Sequence, residues 1–119
     1  MQSFDQPLDQ IPFELLPPLA ASPGYEVLDG NPETAIHFFR GDNDSVTRLG
    51  LWRCTPGTFR CIEKGDELQT LLEGRLTLVF EDGSEQHLEP GQSIYTEKGE
   101  KVIWRIDETV TKVFFTSNP

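Results

Sequence analysis

Histidine is nearly missing from this 119-residue chain, which has only His37 and His87, two cysteines and one methionine. That scarcity rules out a histidine-rich metal centre. Cys54 and Cys61 have no CxxC spacing and are too few for a disulfide scaffold, so they read as small buried hydrophobes on strands. Positive charge is also in short supply: 10 Lys and Arg face 20 Asp and Glu, a net charge of −10. Nucleic-acid binding depends on cations that displace phosphate counterions, so a nucleic-acid partner is excluded, and an anionic membrane surface likewise. No apolar run approaches the ~20 residues of a membrane span. The start, MQSFDQPLDQ, lacks the basic and apolar segments of a secretory leader, and a cytoplasmic location is expected. There is no Gly-rich phosphate loop, no GxSxG and no Cys-His pair, which speaks against phosphoryl transfer and nucleophilic acyl chemistry.

What is present fits a single globular domain: 36% hydrophobic, 10% aromatic and 25% charged residues. Residues 1 to 24 hold five of the nine prolines (Pro7, Pro12, Pro17, Pro18, Pro23), each of which removes a backbone donor and biases its predecessor towards extended conformations. Ile11, Phe13, Leu15 and Leu16 are too many apolar residues for a free tail. Residues 1–34 are therefore expected to form an extended arm lying on the body or on a neighbouring subunit. From Ala35 to residue 119 the chain reads as short strands separated by turns such as GDND, PG and KGE, with Asp82-Gly83 as a type I′ hairpin signal. β-Branched and aromatic residues fill the runs, and turns recur about every 8 to 12 residues, as in a sandwich or barrel.

The stretches PGTFRCIEKGDELQTLLEG and DGSEQHLEPGQSIYTEKGEKVIWRI resemble the two motifs of a cupin, a double-stranded β-helix or jelly-roll barrel. Gly57, Glu67 and Gly74 match the frame of the first motif. Gly91 and Gly99 match that of the second, with Glu97 at its proline position and Val102 at its histidine position. Trp52, Pro56, Asp66, Trp104 and Lys112 add a resemblance to the short branch that includes ureidoglycine aminohydrolase-like and ethanolamine-utilisation-like cupins. The resemblance implies an all-β barrel with its site inside. It would also imply a metal held by a His-x-His pair, a glutamate and a last histidine, and here those histidines are absent. Counting three residues back from Glu67 puts Glu63 and Cys61 on the His-x-His positions; allowing four puts Ile62 and Arg60 there.

Three readings of Glu67 stay open. It is a general base or ligand anchor inside the barrel; it joins Glu63 and Cys61 in a reduced site for manganese, nickel, iron or zinc; or it is structural, paired with Arg60 or Arg105 or capping the turn at Gly65-Asp66. Strand alternation puts Gln69 and Leu71 on the face of Glu67, and Val102, Trp104 and Ile106 on one face of a later strand. Trp104 beside a carboxylate would suit an amine or ureide nitrogen. Tyr95, Phe59 and Arg40 are further pocket candidates. The expected protein is a homodimeric cupin without a cofactor that binds a small nitrogen-containing metabolite through Glu67, with Glu63, Gln69, Trp104, Tyr95 and Phe59 around it. A metal-dependent aminohydrolase and a non-catalytic regulatory or scaffold barrel are the alternatives.

Overall fold

The computed structural model describes residues 1–118. The described residues are all-β, with nine strands: β1 (Glu14–Leu15), β2 (Tyr25–Gly30), β3 (Thr34–Arg40), β4 (Thr47–Cys54), β5 (Gly57–Ile62), β6 (Glu67–Phe80), β7 (Glu85–Leu88), β8 (Ser93–Thr96) and β9 (Lys101–Ser117). All strand pairs are antiparallel. The two longest strands, β6 and β9, pair along almost their whole length and run through both halves of the molecule. Beyond them one half continues through β4, β3 and β1 and, on the other side, β8; the second half continues through β5 and β2 and, on the other side, β7.

The pairing of β6 with β9 shifts register three times between Leu71 and Leu76, and there the spine changes direction. Gly74 sits in this crease with φ +83°, a conformation that L side chains rarely adopt, and a Cβ there would run into the backbone of Thr109. Gly91 and Gly99 also have positive φ but stand in open space. The glycine frame is thus explained by backbone geometry with no bound group.

Two expectations differ from what forms. Tyr25–Gly30, read as part of the arm, is a full strand whose residues pair with β5. Its pattern, YEVLDG, alternates too briefly to stand out next to the prolines. The rest of the N-terminal segment holds the short β1 and two 3₁₀ turns, Leu8–Gln10 and Leu19–Ala21. At the β6–β7 hairpin only Gly83 takes positive φ, so the turn is not of type I′, which needs two such residues. Asp82 instead keeps a negative φ, and its carboxylate accepts hydrogen bonds from the Ser84 amide (2.8 Å) and hydroxyl (2.6 Å). The carboxyl is held below its usual range by those bonds.

Period-two alternation on β6 and β9 sends Leu71, Leu76, Leu78, Val102, Trp104, Ile106 and Val110 to the interior, where they meet Cys54, Phe59 and Cys61. Cys54 and Cys61 are buried free thiols. Burial pushes the Cys54 thiol up to about 12. Among the described residues no helix is long and apolar enough to cross a membrane.

Candidate functional site

The same alternation builds a cavity of about 500 Å³ between the two halves. On β9, the residues after the crease that face inward are Val110, Lys112, Phe114 and Thr116, the even-numbered continuation of Val102 and Trp104. Glu67 pairs with Thr116 on one side of β6, and Arg48 and Trp52 on β4 pair with Thr116 and Lys112 on the other side of β9. Facing them from the second half are Tyr25, Phe59, Cys61 and Trp104.

An aromatic cage surrounds the ammonium of Lys112. Its Nζ lies 4.5 Å from the Trp104 ring centroid and 4.6 Å from that of Trp52. Each such contact contributes roughly 0.5–2 kcal/mol, more when water is excluded. The cage is itself braced: the Phe59 and Trp104 rings are parallel within 3° at 6.2 Å, and Trp52 tilts against Trp104 at 5.9 Å. Lys112 Nζ stands 3.8 Å from Glu67 Oε1 and donates to Gln69 Oε1. The Gln69 amide is oriented by its other end, Nε2, which donates to Thr96 Oγ1 at 2.9 Å.

Glu63 stands beside this group at the end of β5, fixed by two backbone bonds to the β8–β9 turn: Glu63 N to Glu100 O and Gly99 N to Glu63 O, both 2.8 Å. Its Oε1 accepts from Trp104 Nε1 (3.2 Å) and from the Cys61 thiol (3.6 Å). Oε2 takes no hydrogen bond from the described residues. Burial pushes this carboxyl above the usual carboxylate range, against the opposing pull of nearby Lys112. The same burial pushes the Cys61 thiol up, with the Glu63 carboxyl adding to it. Two buried polar atoms find no partner among the described residues, Thr34 Oγ1 and Arg48 Nε, and both residues line the cavity.

The candidates proposed from sequence are thus distributed unevenly. Glu67, Glu63, Phe59, Trp104 and Cys61 line the cavity, and Gln69 lies buried against Lys112. Tyr95 is 59% exposed on the outer face of β8, because Thr96 next to it faces in. Arg40 is likewise exposed outside, near the Phe39 carbonyl. Arg60 and Arg105 are not partners of Glu67: they pair with Glu26 (3.1 Å) and Glu85 (3.4 Å) on the surface. Neither histidine reaches the cavity; His87 Nδ1 bonds Thr77 Oγ1 at 2.7 Å, and His37 packs edge-on against Phe39. Lys112, Arg48, Trp52 and Tyr25 were given no role in the site, although continued alternation from Trp104 through β9 leads to Lys112.

The metal frame can now be tested on the donors present. Cys61 and Glu63 face inward while Arg60 and Ile62 face out, so the count of three residues back from Glu67 is the one the strand obeys. Val102, in the place of the last histidine, pairs directly with Cys61 across β5 and β9. A metal would need the Cys61 sulfur free, and the thiol is turned onto the Glu63 carboxylate as a donor. It would need Glu67 free, and Glu67 faces an ammonium. Among the described residues no group of three or more His, Cys, Asp or Glu side chains could hold a metal ion. The residues present do not fit the metal that the frame implies.

The model of the EutQ-like cupin domain matches residues 41–114, more than half of the chain and both motifs. The chain belongs to this cupin family. Solved structures agree on the fold. A protein of unknown function in the DUF861 family from Pseudomonas syringae pv. tomato superposes with a TM-score of 0.77 at 24% identity, covering 91% of this chain and 45% of that one. The Clostridium difficile EutQ protein gives 0.64 at 18% identity, with 73% of this cupin and 69% of that chain covered. A putative ethanolamine utilization protein Q from Salmonella typhimurium LT2 gives 0.62 at 19%, covering 71% and 69%. This cupin therefore spans under half the length of the Pseudomonas protein. No curated protein matches the chain.

Proposed function

We propose that this cupin binds a small metabolite bearing an amide or ureide nitrogen in its barrel, with Glu63 and Glu67 as the polar contacts and no resident metal. The observation that carries this reading is the cage around Lys112. The sequence suggested that Trp104 beside a carboxylate would suit an amine or a ureide nitrogen; the part of that niche an amine would take holds the protein's own ammonium instead. A second cation there would be repelled, so the ligand nitrogen is neutral. Glu63 offers it an oxygen, Oε2, that no described residue uses. That oxygen can accept from the N–H of an amide or ureide nitrogen. Tyr25, Phe59 and Trp52 supply apolar walls, the usual make-up of a small-molecule site.

Both tryptophans of the chain line the cavity, so intrinsic fluorescence reports on it directly. Titrating the uncharged probe N-acetylglycinamide should give a saturable change. Glu63→Leu should weaken it about tenfold by removing a hydrogen bond to a charged or acidic partner. No saturable change, or wild-type affinity in both Glu63→Leu and Glu67→Gln, would sink the reading.

A further inference from the structure

We infer that the ligand also carries a carboxylate, received by Arg48 at the mouth of the cavity. This rests on the amide-binding reading above and extends it to the ligand's other end.

Arg48, the second residue of β4, faces inward on the same row as Thr116 and Glu67. It is half-buried and makes no ion pair among the described residues, and its Nε is buried without a partner. The groups that could have satisfied it are committed elsewhere. The Thr116 hydroxyl donates to the Asp66 carbonyl at 2.6 Å, and Glu67, one strand further, faces Lys112. A guanidinium is a planar fork suited to a bidentate carboxylate, and a buried Nε–H left unpaired costs free energy that a ligand oxygen would recover.

The charge balance points the same way. In a chain with a net charge of −10, the cavity wall carries three cations, Arg48, Lys64 and Lys112, against two carboxylates, Glu63 and Glu67. Burial disfavours ionisation of one of those two, Glu63. The ammonium of Lys64 leans over the Tyr25 ring at 5.6 Å rather than onto an acid. The pocket is thus an island of positive surplus inside an acidic protein, which favours a single negative charge. A phosphate dianion fits less well: Arg48 is one fork, and Glu63 and Glu67 line the same cavity.

The ligand class is then an N-acylated amino acid: amide towards Glu63, carboxylate towards Arg48, apolar body against Phe59 and Trp52. The test compares N-acetylglycine with N-acetylglycinamide, which differ only in that charge, by tryptophan fluorescence. The acid should bind about tenfold more tightly, the scale of one charge-assisted hydrogen-bonded pair. Arg48→Gln should bring the acid down to the amide, and Arg48→Lys should retain only part of the preference, with thermal melts confirming that both variants fold. Equal binding of the two probes, or a preference that survives Arg48→Gln, overturns the inference and leaves the amide-binding reading standing. If neither probe binds at millimolar concentration, both fall together.

Discussion

The two halves of the barrel share β6 and β9 yet contribute different chemistry to the space between them. The half built on β3, β4 and the end of β9 supplies Thr34, Arg48, Lys112 and Thr116, with Glu67 and Gln69 from the start of β6. The half built on β2, β5 and the start of β9 supplies Tyr25, Phe59, Cys61 and Trp104. The first wall carries most of the polar groups and the second most of the aromatic ones, with Trp52 on β4 and Glu63 at the end of β5 as the exceptions, and the crease at Gly74 holds them face to face. The difference teaches that stability and recognition are largely separable here: the second wall is mostly core, and apart from Glu63 the unpaired polar groups, Thr34 and Arg48, belong to the first.

Truncation of the aromatic wall should have the largest effect. Phe59 is 1% exposed and touches Tyr25, Trp52 and Trp104. Phe59→Ala should cost about 4 kcal/mol of unfolding free energy in urea titration, through lost transfer energy and a cavity that the rigid rings cannot close. A loss below about 1 kcal/mol would mean that this wall is not the core and that the division between halves fails.

Next comes the polar wall's one internal pair. Lys112→Met removes the ammonium from beside Glu67, whose side chain is 21% exposed, and leaves the Gln69 carbonyl without its donor. The expected cost is about 2–3 kcal/mol, below that of a fully buried pair because water reaches Glu67. Adding Glu67→Gln should return part of it, since the stranded charge is gone. If the double variant is no better than the single, the pair is not coupled and the cage alone holds Lys112.

How much of this was legible in the sequence follows from what each signal can carry. The strands, the glycine frame and the interior faces of β6 and β9 follow from turn chemistry and period two, because those are local. Glu63, Glu67, Phe59 and Trp104 lie on motifs that fix their phase, and they reach the cavity. Lys112 does not look like a site residue, because a lysine in a strand is usually solvated; only the pairing of β9 with β4 brings Trp52 beneath it. Arg48 depends on the same long-range register. Tyr95 fails for the opposite reason, since its neighbour Thr96 takes the inward position and a single residue of phase exchanges the faces.

A smaller effect, in pH, sharpens the comparison at the seam between the walls. The Glu63 carboxyl is raised above its usual 4.5 chiefly by burial. A raised group adds stability that is fully present below 4.5 and is lost as the pH climbs through its folded value. Wild type should therefore lose stability relative to Glu63→Gln between weakly acidic and neutral pH, and the gap should level off above the folded value. Parallel urea titrations across that range measure it. A constant gap would mean that Glu63 is ionised in the fold at no cost, with Lys112 rather than burial setting its state.

The smallest expected effect tests the outer boundary of the site. Tyr95 stands on the far side of β8 from Gln69 and Thr96, in register with Leu68, which is also exposed. Tyr95→Ser should change stability by no more than about 0.5 kcal/mol, as for a surface position without a special contact. It should leave the fluorescence titration with N-acetylglycinamide untouched. Thr96→Val, one residue along and 0% exposed, should behave differently. It removes the acceptor that orients the Gln69 amide, and so it loosens Lys112 from behind. If the two neighbouring changes act alike on binding, the inward phase of β8 is wrong and the polar wall must be redrawn with Tyr95 in it.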